Sequence, residues 1–94
     1  IANAKLEKDK LELISIYPNP MVDNTVITIF TKDITSVNLS VYNDLGALMK
    51  DEQKDLREGI NNWEIPTEKW SKGVYFFMLK LEDRLITKQI VKLH

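Results

Sequence analysis

The run Val74 to Leu81 reads V-Y-F-F-M-L-K-L and constrains the fold more than any other segment. At the two-residue period of an extended chain, Tyr75, Phe77, Leu79 and Leu81 share one face, while Val74, Phe76 and Met78 nearly fill the other. A strand apolar on both sides belongs in the middle of a sheet, with cover over both faces. The rest of the chain therefore has to supply flanking strands and a second layer.

It carries the signals to do so. Leu11 to Tyr17 is a first strand, ended by Pro18-Asn19-Pro20, whose prolines donate nothing to a ladder. Thr25 to Thr31 is almost wholly β-branched or aromatic, with Ile27 and Ile29 on one face and Val26 and Phe30 on the other. Ser36 to Tyr42 alternates cleanly: Val37, Leu39 and Val41 face a core, and Asn38 and Ser40 face water. Asn43-Asp44-Leu45-Gly46 is a turn, with Gly46 free to take positive φ, and it returns the chain into a polar strand, Ala47 to Lys54. The charges of that strand (Lys50, Asp51, Glu52, Lys54) suit an edge protected against pairing with another chain. Glu58-Gly59 turns into a short fifth strand, Ile60 to Ile65, with Trp63 and Ile65 inward and Pro66 as its stop. Trp70 is the only large apolar residue in the loop Thr67 to Lys72 and is expected to plug one end of the core. After Glu82-Asp83-Arg84, the segment Leu85 to Leu93 returns without clean alternation, and its buried face is not assignable from the pattern.

Seven short strands, regularly spaced turns and no 3.6-residue apolar period predict an all-β fold, an antiparallel seven-stranded Ig-like β-sandwich of Greek-key type. The chain has no cysteine, so the likeness to an immunoglobulin domain is architectural.

Ninety-four residues make one domain with one modest core and little room for a deep active site. Thirteen Lys plus Arg against fourteen Asp plus Glu leave a net charge of −1, which makes nucleic acid a poor partner. No run reaches the ~18–20 apolar residues of a membrane span, so direct membrane insertion is not expected. The lone histidine is His94, and without cysteine a zinc or iron–sulfur site built from soft protein ligands cannot be assembled. Asp23, Asp33, Asp44 and Asp83 fall in turns, where a short acceptor side chain serves the backbone, and no calcium-loop pattern occurs. No cofactor is expected. No nucleophile–base pair and no phosphate loop is present, so the domain reads as a non-enzyme. Residues 1–10 alternate charged and small residues and read as a linker from a preceding cargo domain, with the domain proper at 11–94. The first residue, Ile1, suggests a piece of a larger or processed protein.

Tyr17-Pro18-Asn19-Pro20 with Thr25-x-Ile27, Val41-Tyr42-x-x-Leu45-Gly46, Gly73-Val74-Tyr75-Phe76 and Lys88-x-x-Val91-Lys92 together resemble the C-terminal sorting domains of type IX secretion cargo in the Bacteroidetes. The order and spacing of the set carry the likeness, which spans Leu11 to His94. Met21 stands where that family often has an aromatic residue, and Asn43 where an acid is usual. The resemblance implies a secretion and sorting signal that folds in the periplasm and is read by type IX outer-membrane translocon and shuttle components. It implies that the signal carries its covalently attached cargo to the cell surface or medium and is then usually cut off by a sortase-like peptidase.

The individual motifs also have plainer readings. Pro18, Asn19 and Pro20 serve as a rigid corner, and Gly46 as a turn glycine. Gly73 opens the central strand, and Tyr75 fills the core with its hydroxyl on a polar partner. Lys88 and Lys92 project from one face roughly 13 Å apart. They suit an acidic receptor surface or a solvated edge, and the family's C-terminal signal favours the first. The candidate recognition residues are thus Gly73, Tyr75, Lys88, Val91 and Lys92. Alternatives are a small carbohydrate- or protein-binding module using Tyr42, Trp63, Trp70 and Phe76 as an aromatic platform, or a structural spacer. An exposed edge strand also makes an edge-strand dimer conceivable.

Overall fold

The computed structural model describes residues 11–94, so the linker expected over 1–10 lies outside the described residues. Seven strands follow one another: β1 (Leu11–Tyr17), β2 (Asn24–Thr31), β3 (Thr35–Asn43), β4 (Leu48–Leu56), β5 (Gly59–Pro66), β6 (Gly73–Leu81) and β7 (Arg84–Lys92). They pair antiparallel in two sheets, ordered β1-β2-β5 and β4-β3-β6-β7. This is the expected Ig-like sandwich. Its fourth strand lies beside β3, whereas a constant-type domain places it in the first sheet.

The inner faces are the rows that alternation picked out. Ile27 and Ile29 from β2, Val37, Leu39 and Val41 from β3, Trp63 and Ile65 from β5, and Tyr75, Phe77, Leu79 and Leu81 from β6 are all buried. Thr25 and Thr31 close the two ends of the β2 row. Their hydroxyls donate to the carbonyls of Pro18 (3.0 Å) and Asp33 (2.8 Å), so neither polar group is buried without a partner.

Four details depart from the sequence reading. β6 is central in its sheet, between β3 and β7, but it is covered on one face only: Val74, Phe76 and Met78 are half-buried on the outside of a two-layer sandwich. Apolar content on both faces therefore did not signal a third layer here. β5 is not short, since it pairs with all eight residues of β2. β4 runs on to Leu56, which is buried opposite Thr35, so the edge strand ends with a core anchor. In β1 the register slips between Leu13 and Ser15. The slip leaves Ile14 half exposed (50%) and returns Ile16 to the core side opposite Ile27.

The four-stranded sheet is one strand wider than its partner, and β4 is the surplus. Its inward positions hold Lys50, Glu52 and Lys54, with Lys50 and Glu52 paired at 3.1 Å. The charged edge expected of this segment is present.

Candidate functional site

The antiparallel order brings the sequence motifs to one end of the sandwich. β1, β3, β5 and β7 finish at that end, and β2, β4 and β6 start there. In the register of β6 and β7, Gly73 faces Lys92, Val74 faces Val91, Tyr75 faces Ile90 and Phe77 faces Lys88. On the other side of β6, Val41 faces Phe77 and Tyr42 faces Phe76.

Pro18-Asn19-Pro20 joins this cluster from the opposite sheet. Both X-Pro bonds, Tyr17-Pro18 and Asn19-Pro20, are cis. Asn19 lies along the outer edge of β7, where its Oδ1 accepts from the Val91 N–H at 3.0 Å and its Nδ2 donates to the Gln89 carbonyl at 3.4 Å. The next residue but one, Met21, continues the clasp. Its N–H donates to the Val91 carbonyl (2.7 Å), its carbonyl accepts from the Leu93 N–H (3.0 Å), and it forms a parallel bridge with Lys92. Met21 is fully buried. The segment therefore works as the expected corner and also fastens the first sheet to the last strand.

The loop between β5 and β6 seals the same end. Thr67 is fully buried, donating from its N–H to the Asp23 carbonyl (2.9 Å) and from its hydroxyl to the Val22 carbonyl (3.3 Å). Trp70 is the expected plug, with its ring centroid 5.0 Å from that of Tyr75 and 6.2 Å from that of Phe77. Tyr75 is 3% exposed, and its hydroxyl donates to the Ser71 carbonyl at 2.6 Å. A tyrosine at the start of the sixth strand bonding back to the preceding loop is the tyrosine corner of Ig-like sandwiches.

Burial, and secondarily the charge of Asp44, raises the Tyr75 phenol above its ordinary value of 10.0. The unfolded chain therefore loses this proton first. The corresponding stability is intact below pH ~10 and declines as pH rises through the higher folded value. Urea unfolding followed between pH 9 and 12 is expected to show this alkaline decline, and Tyr75→Phe is expected to flatten it. At neutral pH the same variant costs about 1 kcal/mol for the lost bond.

Gly46 sits at φ 85, a conformation that glycine adopts without strain. Around it Asn43 organises the turn: its Oδ1 accepts from the N–H groups of both Leu45 and Ala47 at 2.9 Å. The acid usual at this position in the resembled family would offer the same acceptor oxygen, so the amide preserves the turn. Gly73 opens β6 at φ 143, also outside the range L side chains favour.

Lys88 and Lys92 do share a face, with Ile86 and Ile90, and it is the inner one. Lys88 lies at the open margin of the sandwich and is exposed. Lys92 is 3% exposed, and its ammonium donates to the backbone carbonyl of His94. The pair therefore does not form a solvated two-cation face, because only Lys88 presents its charge outward. Val91 is half-buried on the outer face beside Val74. The aromatic platform does not form either: Trp63 is inside the core (5% exposed), Trp70 packs on it, and only Tyr42 and Phe76 reach the outer face.

A groove of about 340 Å³ lies between the margins of β1 and β7, lined by Leu13, Ile14, Ser15, Ile16, Asn19, Lys88, Gln89 and Ile90. Alternation did not reveal it, since it forms where two strands of different sheets run past each other. Its far end is tied by Arg84, whose guanidinium donates to the Leu11 carbonyl. Among the described residues no group of three or more His, Cys, Asp or Glu is placed to hold a metal ion.

Compared with known protein families, residues 15–93 match the model of the secretion system C-terminal sorting domain. No curated protein sequence matches the chain.

Proposed function

The chain belongs to the family of secretion system C-terminal sorting domains, and from that premise we propose that its sorting information resides in the end of the sandwich where the motifs meet. The domain is a C-terminal sorting signal for type IX secretion, it interacts with that machinery, and it directs export to the cell surface or medium. The family is not an enzyme family.

The convergence carries the reading. Antiparallel order places every odd-to-even turn and the end of β7 at this end, and the motifs from position 17 to position 92 fall there and not in the turns at the other end, which supports that end as the unit that is read. Val91, Val74 and Phe76 offer contact on its outer face, Lys88 offers charge at its margin, and Gly73, Tyr75, Asn19 and Lys92 hold the shape. Pro18, Pro20 and Gly46 set the two turns around it. In this reading residues 1–10 link a cargo to the signal at 11–94, and the domain folds in the periplasm before translocon and shuttle components engage it. A sortase-like peptidase then cuts within or near the linker.

The test is a folded reporter with a leader peptide, fused ahead of residues 1–94 and expressed in a type IX-competent bacterium. The full fusion is expected on the surface or in the medium. A fusion lacking Leu85 to His94 is expected to stay in the periplasm, and equal fates for both would defeat the reading. Because that deletion also removes the buried Ile90, a gentler variant is needed beside it. Lys92→Met keeps the buried stem and removes the charge, so melting temperature is expected to hold or rise. If export of this variant matches the parent, Lys92 serves the fold and not recognition.

A further inference from the structure

We propose that the groove between β1 and β7 is a docking site for a short extended peptide segment bearing a carboxylate. The segment adds to the free edge of β7 and places its acid against Lys88. The proposal rests on the sorting role only for the kind of partner, a protein of the export machinery; the binding itself follows from three features of the groove.

The first is backbone. β7 pairs with β6 on one side only, and its residues alternate between groups spent on β6 and groups turned outward. The chain's own Asn19 and Met21 take the outward groups from Gln89 to Leu93. From Leu85 to Thr87 the edge meets no strand among the described residues. Met21 already makes one parallel bridge with this edge, so an added segment would extend a pairing that the fold has begun.

The second is charge. Lys88 is exposed at the groove, has no ion-pair partner among the described residues, and lies where no acidic side chain lines the wall. A carboxylate on the inward row of an added strand supplies the missing sign.

The third is apolar contact. Ile14, pushed outward by the bulge, and Leu13, Ile16 and Ile90 flank the lysine, so residues two positions either side of the acid, which share its face in an extended segment, find cover. The ties at Arg84 and Asn19 bound the site to a few residues.

The experiment titrates the 94-residue chain with acetyl-Val-Thr-Glu-Thr-Val-amide, whose valines share the face of the acid, and follows its backbone amides by NMR. Shifts and slowed exchange are expected at Leu85, Thr87 and Ile14, with weak, salt-sensitive affinity. The same peptide with lysine in place of glutamate is expected to bind roughly five- to ten-fold more weakly, the size of a partly screened pair turned from attraction to repulsion. Lys88→Glu is expected to invert that preference. A peptide with proline in place of both valines keeps the acid but loses N–H groups, and is expected not to bind.

Equal binding of the glutamate and lysine peptides, or undiminished binding of the proline peptide, would overturn the proposal. So would concentration-dependent shifts of the same amides without peptide, which would make a second copy the occupant. If no peptide binds while the reporter fusion is exported, the groove assignment fails and the sorting role stands. Peptide binding as described with no export would uphold the groove and remove the sorting role.

Discussion

Phe77→Ala is expected to cost about 3–5 kcal/mol and to abolish export of a cargo fused ahead of the domain. Phe77 is fully buried in β6, flanked by Val41 and Lys88 on the neighbouring strands and by the Trp70 ring. Removing it empties the centre of the core that the described residues share. A chain of this size holds about 5–15 kcal/mol in total, so the loss removes from about a fifth to nearly all of its stability. Chemical denaturation of the isolated domain reads the first effect, and reporter location reads the second. Ile34→Ala, at a position 84% exposed, is the control and is expected to change stability by less than about 0.5 kcal/mol. If Phe77→Ala unfolds the domain yet leaves export intact, the machinery reads an unfolded C-terminal peptide, and the assembled end of the sandwich has no role in recognition.

Met21→Ala is expected to cost about 2–5 kcal/mol and to act on β7 from a distance of seventy residues in sequence. The side chain is fully buried, and the same residue makes two backbone bonds to the last strand. Alanine keeps the backbone bonds and opens a cavity behind them, so fraying is expected to begin at Val91 and Leu93. Hydrogen exchange of those two amides checks the location of the loss, and thermal melting checks its size. Met21→Phe restores the aromatic often found in the resembled family. It is expected to cost less than the alanine variant if the end of the sandwich can accommodate a ring. Asn19→Ala removes only the side-chain clasp and is expected to cost about 1 kcal/mol. The ordering Met21→Ala above Asn19→Ala identifies packing, not hydrogen bonding, as the main fastener of the C-terminal strand.

Much of this architecture was legible because alternation in a strand depends on neighbours two residues apart. Ile27 and Ile29, Val37 to Val41, and Tyr75 to Leu81 all face the core as their pattern requires. The pattern misled where a local rule met a non-local fact. In β1 one extra residue at the bulge shifts the period, so the row Leu11, Leu13, Ile16 cannot be read by counting in twos. On β6, Val74, Phe76 and Met78 resemble the inner face of a buried strand, yet they lie outside a two-layer fold. On β7, Lys88 and Lys92 interrupt the apolar row that faces the core, which hid the buried face from the sequence reading. Lys92 is accommodated because its ammonium finds a backbone carbonyl, and Lys88 because it sits at the open margin.

The chain alone determined the seven strands, their turns and the motif set, because each depends on residue type and short spacing. The tertiary structure decided which motifs meet. Gly73 to Phe77 lies against Lys88 to Lys92 only through antiparallel register, and Asn19 reaches Val91 only because two sheets are stacked. Those contacts join residues up to seventy-two positions apart, and their selection rests on the shared burial of a single core, a property of the whole chain that no local window contains.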